Sequence, residues 1–185
     1  MSTIKLSDAS VEAIALAQAK LHLRVDESDE DSLISLYIGA ARNACEARTG
    51  RAITLTNFRL TMDAFPSGAI ELSFPRLISV QSVKYYDLDG VFQTLAAQDY
   101  LLDAVSEPGL VYQAQGLAWP NAQERIGAVV VDYTAGYSDV PKDLMAWMLL
   151  AITDLYERRG RSSERPAVPQ AFADGLLDRY KVWAM

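Results

Sequence analysis

One histidine and one cysteine stand in a chain of 185 residues, and with them most of the nucleophilic or soft-metal chemistry it could perform. A Ser-His-Asp or Cys-His arrangement would have to recruit His22. His22 lies in Leu21-His22-Leu23, at the end of an apolar helical segment. That setting predicts a partly buried structural histidine. Cys45 falls on the apolar stripe of the next helical segment, where it is expected to act as a small hydrophobe. A single thiol excludes an internal disulfide and a multi-cysteine metal site. The acidic run Asp26 to Asp31 invites a calcium reading, but that loop needs a glycine at its sixth place and a late glutamate. Counting from Asp26 or Asp29, no glycine falls there, and a solvated linker leading into a helix cap accounts for the same residues. No Gly-x-Gly-x-x-Gly occurs, nor a glycine ahead of a Lys-Ser or Lys-Thr pair, so no phosphate-cradling loop is predicted. With 24 Asp and Glu some carboxylate pair could always be found, yet no spacing singles one out. No catalytic, cofactor-binding or metal-binding residue is therefore expected.

Charge bears on partners. The formal net charge is −7. A protein that grips DNA through phosphates usually carries a basic face. Here the one basic patch is Arg158, Arg159, Arg161 and Arg165. It could meet DNA phosphates or an acidic partner; equally, cations suit a helix C-terminus and a solvated loop. An acidic surface could line a passage through which DNA slides without sticking. The terminal Tyr180-Lys-Val-Trp-Ala-Met185 is unusually apolar for a chain end, so it either docks on another protein or folds back on its own helices. No apolar run approaches the roughly 20 residues of a membrane span. Met1 to Ser10 lacks an apolar signal core, which predicts a protein that is not exported.

The positioning elements read as helices, then strands, then helices. Val11, Ile14, Ala17, Leu21 and Val25 recur at near-helical spacing, although Val11 to Ile14 fits an extended segment too. Ser28 or Asp29 can cap a second helix, whose stripe is Leu33, Ile34, Tyr37, Ile38, Ala41 and Cys45, and Gly50 ends it. From Ala52 to about Tyr137 the period becomes two, with runs at 53–62, 70–72, 78–86, 91–95, 100–102, 110–112 and 126–133. Asp87 to Gly90 is a hairpin turn signal. A third helix from Pro141 to about Arg159 has Leu144, Met145, Met148, Leu149, Ile152, Leu155 and Tyr156 on its stripe, with Trp147 and Leu150 outside it. A helix apolar on nearly all sides is either central to a core or at a subunit interface. Arg161 to Pro169 reads as a linker, and a last helix runs from about Gln170 to Trp183. The predicted fold is α+β: a bundle of about four helices with a mostly antiparallel β module inserted between the second and third long helices. The expected segments are the bundle helices 1–51, the β module 52–137, the central helix 138–160, and a linker and C-terminal helix 161–185, in one composite domain.

Leu21-His-Leu-Arg-Val-Asp26 is followed by Asp29-Glu-Asp31 with Leu33 and Ile34, then Ile38-Gly-Ala-Ala-Arg42, then Glu46 with Thr49-Gly-Arg51. Beyond the strands come Asp132-Tyr-Thr-Ala-Gly136, Val140-Pro141, Leu155-Tyr-Glu-Arg-Arg-Gly160, and finally Leu176-Leu177 with Tyr180. In this order and spacing the chain resembles the head–tail connector, or adaptor, proteins of long-tailed bacteriophages and prophages, in their larger form with a β segment. The resemblance implies a structural virion protein rather than an enzyme, with no cofactor. It implies a ring of about twelve copies under the portal protein, which extends the DNA channel and docks the next neck or tail completion protein, a stopper or tail terminator. DNA would pass through without specific binding. The place implied is the virion neck, reached from the host cytoplasm during assembly. The expected partner interface is Trp147, Leu150, Arg158, Arg159, Tyr180 and Trp183. The alternatives are a DNA-binding accessory protein of packaging that uses Arg158 to Arg165, and a small hydrolase with an unseen carboxylate pair.

Overall fold

The computed structural model describes residues 1–7, 11–158 and 171–182. In chain order its elements are β1 (Ser2–Lys5), α1 (Leu16–Leu23), α2 (Asp31–Thr49), β2 (Thr56–Met62), β3 (Ile70–Leu72) and β4 (Leu77–Tyr86). Then come β5 (Phe92–Thr94), β6 (Tyr100–Asp103), β7 (Gly109–Gln113), β8 (Val129–Ala135), α3 (Lys142–Glu157) and α4 (Ala171–Gly175). Two units result: Met1–Ser10 with Leu55–Gly136, and Val11–Thr54 with Tyr137–Met185. The α+β class and the antiparallel β module between α2 and α3 agree with the sequence reading. The assignment of all of residues 1–51 to bundle helices does not hold, because β1 is a strand of the β unit. Four residues carry too little periodicity to announce a strand, and its pairing partner, β2, lies some fifty residues away.

In the β unit, five strands pair antiparallel in the order β1-β2-β8-β4-β5. The central β8 alternates strictly, with Val129, Val131, Tyr133 and Ala135 buried. Their partners on β2 are Met62, Leu60, Phe58 and Thr56, so three apolar pairs and the buried Thr56–Ala135 pair fill one face. Arg59 and Asp132 pair across the other face, through hydrogen bonds of 2.7 and 3.0 Å. The predicted turn forms: the Asp87 carboxylate accepts the N–H groups of Asp89 and Val91, and Gly90 takes a positive φ of 79°. A second antiparallel sheet has the order β3-β7-β6. Ile126, expected to start the last strand, is exposed ahead of β8.

The helical unit buries Ile34, Ile38, Ala41 and Cys45 of α2 against Leu144, Trp147, Met148 and Ile152 of α3. Ile53, expected on a strand, joins this core. Each fully buried aliphatic side chain contributes about 1.5–3 kcal/mol. Neither Ser28 nor Asp29 caps α2 with its side chain. Glu30 is the boundary residue, and the carbonyl of Ser28 accepts the Asp31 N–H instead. Gly50 does end α2, in the left-handed conformation at φ 70°. Leu21 and His22, expected to be covered, are exposed, because α1 turns Ala19 inward and stops at Leu23.

Candidate assembly surfaces

The motif residues of the helical unit form internal locks. Arg42 is buried on α2, where its guanidinium donates to both oxygens of Glu12, at 2.8 and 3.3 Å, and to Glu46 at 3.3 Å. Burial works against this cation, but the hydrogen bonds and charge of Glu12 and Glu46 outweigh it and hold its pKa above the ordinary arginine value. Glu46 also accepts the Ile53 N–H at 3.2 Å. One turn on, Thr49 closes against the carbonyl of Cys45 at 2.8 Å. Arg51 donates from Nε to the carbonyl of Tyr180, and Val182 donates its N–H to the carbonyl of Thr49 at 2.8 Å. The Glu46, Thr49-Gly-Arg51 sequence therefore fastens the C-terminal segment to the end of α2. For Tyr180 to Val182 the open question of docking or folding back is answered by folding back.

The residues expected at a partner interface divide. Trp147 is 6% exposed and lies in the core, with its Nε1–H 3.3 Å from Asp174 and the Arg48 guanidinium 5.3 Å from its ring centre. Tyr180 is 7% exposed and also belongs to that core. Both side chains are used inside this unit: Trp147 meets the C-terminal segment at Asp174, and Tyr180 lies on that segment. Leu150 remains exposed on α3. Arg158 is paired with Asp154 one turn earlier, at 2.9 Å. Arg159 and Trp183 lie outside the described residues, as do Arg161 and Arg165. Cys45 is fully buried, and burial, helped by the charge of Glu46 and opposed by that of Arg48, pushes its thiol up to about 12. A thiol so protonated is a poor nucleophile. Among the described residues no group of three or more His, Cys, Asp or Glu is placed to hold a metal.

Arg42, Glu46, Thr49 and Arg51 lie within a segment that resembles a known family. Residues 13–87 match the phage gp6-like head-tail connector protein family. The match covers α1 to β4. Solved structures resemble the chain over its full length. One, the virion of a native gene transfer agent particle, has a chain 25% identical with a TM-score of 0.81. Another, the neck of an empty particle of that agent computed with C6 symmetry, has a chain 24% identical with a TM-score of 0.82. A third, the neck of the native particle computed with C12 symmetry, has a chain 24% identical with a TM-score of 0.78. In all three cases 100% of this chain and 97% of the other are covered. Among curated proteins none matches.

Outside the matched connector segment, the β unit offers apolar surface that the sequence reading missed. Leu101, Val105 and Tyr112, on or beside the short strands β6 and β7, are exposed. A cleft lined by Phe65, Pro66, Trp119 and Pro120 lies in the same unit. Phe65 stacks on Trp119 there, with ring centres 5.0 Å apart, and Trp119 Nε1–H is already engaged by the carbonyl of Gly68 at 2.8 Å. The missed signal was charge. Residues 85–124 hold six acids, Asp87, Asp89, Asp99, Asp103, Glu107 and Glu124, and no Lys, Arg or His.

Proposed function

We propose that this protein is a head–tail adaptor of a phage or phage-like particle. It forms a ring beneath the portal, extends the channel for DNA, and docks the next neck or tail protein. The connector family match over residues 13–87 is the observation that carries this reading. The full-length likeness to a chain of a gene transfer agent virion supports it, and a neck computed with C12 symmetry is consistent with about twelve copies. The net charge of −7 suits a wall that DNA passes without adhering. Folding residues account for the family motif, which fits a protein that works by shape.

Electron microscopy of the purified protein mixed with portal-bearing heads tests the proposal. A ring on the portal vertex is expected, and heads that retain none of the protein would refute it. The DNA-binding alternative finds less support, since Arg158 already has Asp154 as partner. A low-salt gel-shift titration should be flat.

A further inference from the structure

On the sheet β3-β7-β6, Leu101 sits directly opposite Tyr112, and the two are 57% and 42% exposed. The next pair, Leu102 and Val111, points the other way, where Val111 and its β3 neighbour Ile70 are fully buried and Leu102, on the edge strand, is 45% exposed. One face of this sheet is thus core at β3 and β7, while the opposite face and the edge strand β6 carry large apolar side chains into water. At the tip between β6 and β7, Val105 is 92% exposed. That tip is fastened. Asp103 accepts the N–H groups of Val105 and Ser106 at 2.9 and 3.0 Å and the Ser106 hydroxyl at 2.6 Å. A knob held in place has already lost the freedom that docking would otherwise remove.

Fixed, clustered apolar groups in water mark an interaction surface, and a channel wall has no use for them. Asp99, Asp103 and Glu107, on or beside the hairpin, work against a polyanion as the partner. The complement is a protein surface with an apolar recess rimmed by Lys and Arg. A second copy of this chain is a poor source of such a rim. It carries a formal net charge of −7, and four of its arginines, Arg48, Arg59, Arg158 and Arg179, are engaged by Asp174, Asp132, Asp154 and Asp143 of their own chain. We propose that the β6–β7 hairpin is a docking finger, seated in a basic-rimmed apolar recess of a different protein of the particle. This rests on the adaptor reading and adds to it the surface and the chemistry of one partner.

The test uses particles assembled with the full-length chain, either wild type or Val105→Asp, and read in three ways. Protein content is measured by mass spectrometry. A zero-length carbodiimide then joins carboxylates to touching lysines. The melting temperature of each purified chain is recorded. In wild-type particles, Glu107 or Asp99 is expected to link to a lysine of another particle protein. Val105→Asp should lower the content of that protein about tenfold, a change of about 1.4 kcal/mol, with an unchanged melting temperature. Unaltered content and links in the variant would overturn the finger while leaving the adaptor reading intact. So would links only to lysines of a second copy, or a change confined to DNA retention. Absence of the chain from wild-type particles would refute the adaptor reading, and the finger with it.

Discussion

The helical unit turns Trp147 and Tyr180 inward, whereas the β unit leaves Leu101, Val105 and Tyr112 outside. Trp147 and Tyr180 belong to chain regions rich in apolar residues, and both are covered by their own unit. Leu101, Val105 and Tyr112 sit in short, weakly patterned segments, and all three stand in water. An excess of apolar residues on a helix is therefore poor evidence of an interface when a C-terminal segment can return to cover it. Apolar residues on both faces of a short strand are better evidence, since a sheet with one core face has nothing of its own to put against the other.

The two units should differ most at Trp147. If it is core, Trp147→Ala costs about 3–5 kcal/mol, because it removes a large buried ring and strands its neighbours around a cavity. Urea unfolding of the purified chain measures it. A loss below about 1 kcal/mol would return Trp147 to the surface and dissolve the contrast. Deleting Tyr180 to Val182 should also lower stability, since it removes the carbonyl that Arg51 binds and the N–H that Thr49 binds.

The β unit has a tight point of its own. A Cβ added at Gly109 would lie 2.6 Å from Cβ of Leu77 and 2.8 Å from its Cδ2. Gly109→Ala should therefore cost about 1–3 kcal/mol by overpacking. Adding Leu77→Ala should recover part of that loss, and a double-mutant cycle by thermal melting reads the coupling. Purely additive costs would mean that the two strands do not press together there.

Much of the helical unit was legible. The period of 3.6 placed Ile34, Ile38, Ala41 and Cys45 on one buried stripe, and Gly50 marked the stop. The same pattern misplaced Leu21, because α1 is short and its inner position is the small Ala19, which carries little signal. Residues 2–5 could not be read as a strand, since only the distant β2 makes them one. The covering of Trp147 was equally invisible. It depends on Asp174, a residue 27 positions later that also holds Arg48. The outward face of β6 and β7 needed the register that pairs Leu101 with Tyr112, and no local pattern supplies it.

Cys45 makes the stability of the helical unit depend on pH. Its folded pKa, pushed up to about 12, lies above the ordinary thiol value of 9.0. The folded state thus prefers the protonated thiol. The resulting stability is fully present below about pH 9 and is lost as pH rises toward about 12. Relative to Cys45→Ala, the wild-type chain should lose more stability across that window. Alkylation of Cys45 at pH 8 should be slow in the folded chain and fast after unfolding. Rapid labelling without unfolding would show that the core of the helical unit opens locally.

The smallest effects come from ion pairs, and they ask whether the two units differ at their surfaces as well. Arg59 on β2 meets Asp132 on β8 with two hydrogen bonds, in a cross-strand pair whose acid is mostly covered. Arg158 meets Asp154 within α3 at 2.9 Å, with both side chains more than a third exposed. A two-pronged guanidinium–carboxylate contact between strands holds its geometry at less entropic cost than a flexible pair along one exposed helix. Arg59→Ala should therefore cost about 0.5–1 kcal/mol and Arg158→Ala about 0.3–0.5 kcal/mol. Both losses should shrink in 1 M salt, that of Arg158 more completely, because exposed charges are screened first. If Arg158→Ala instead left stability untouched but removed the chain from portal-bearing heads, Arg158 would be serving a partner in spite of Asp154, and the helical unit would regain an outward role.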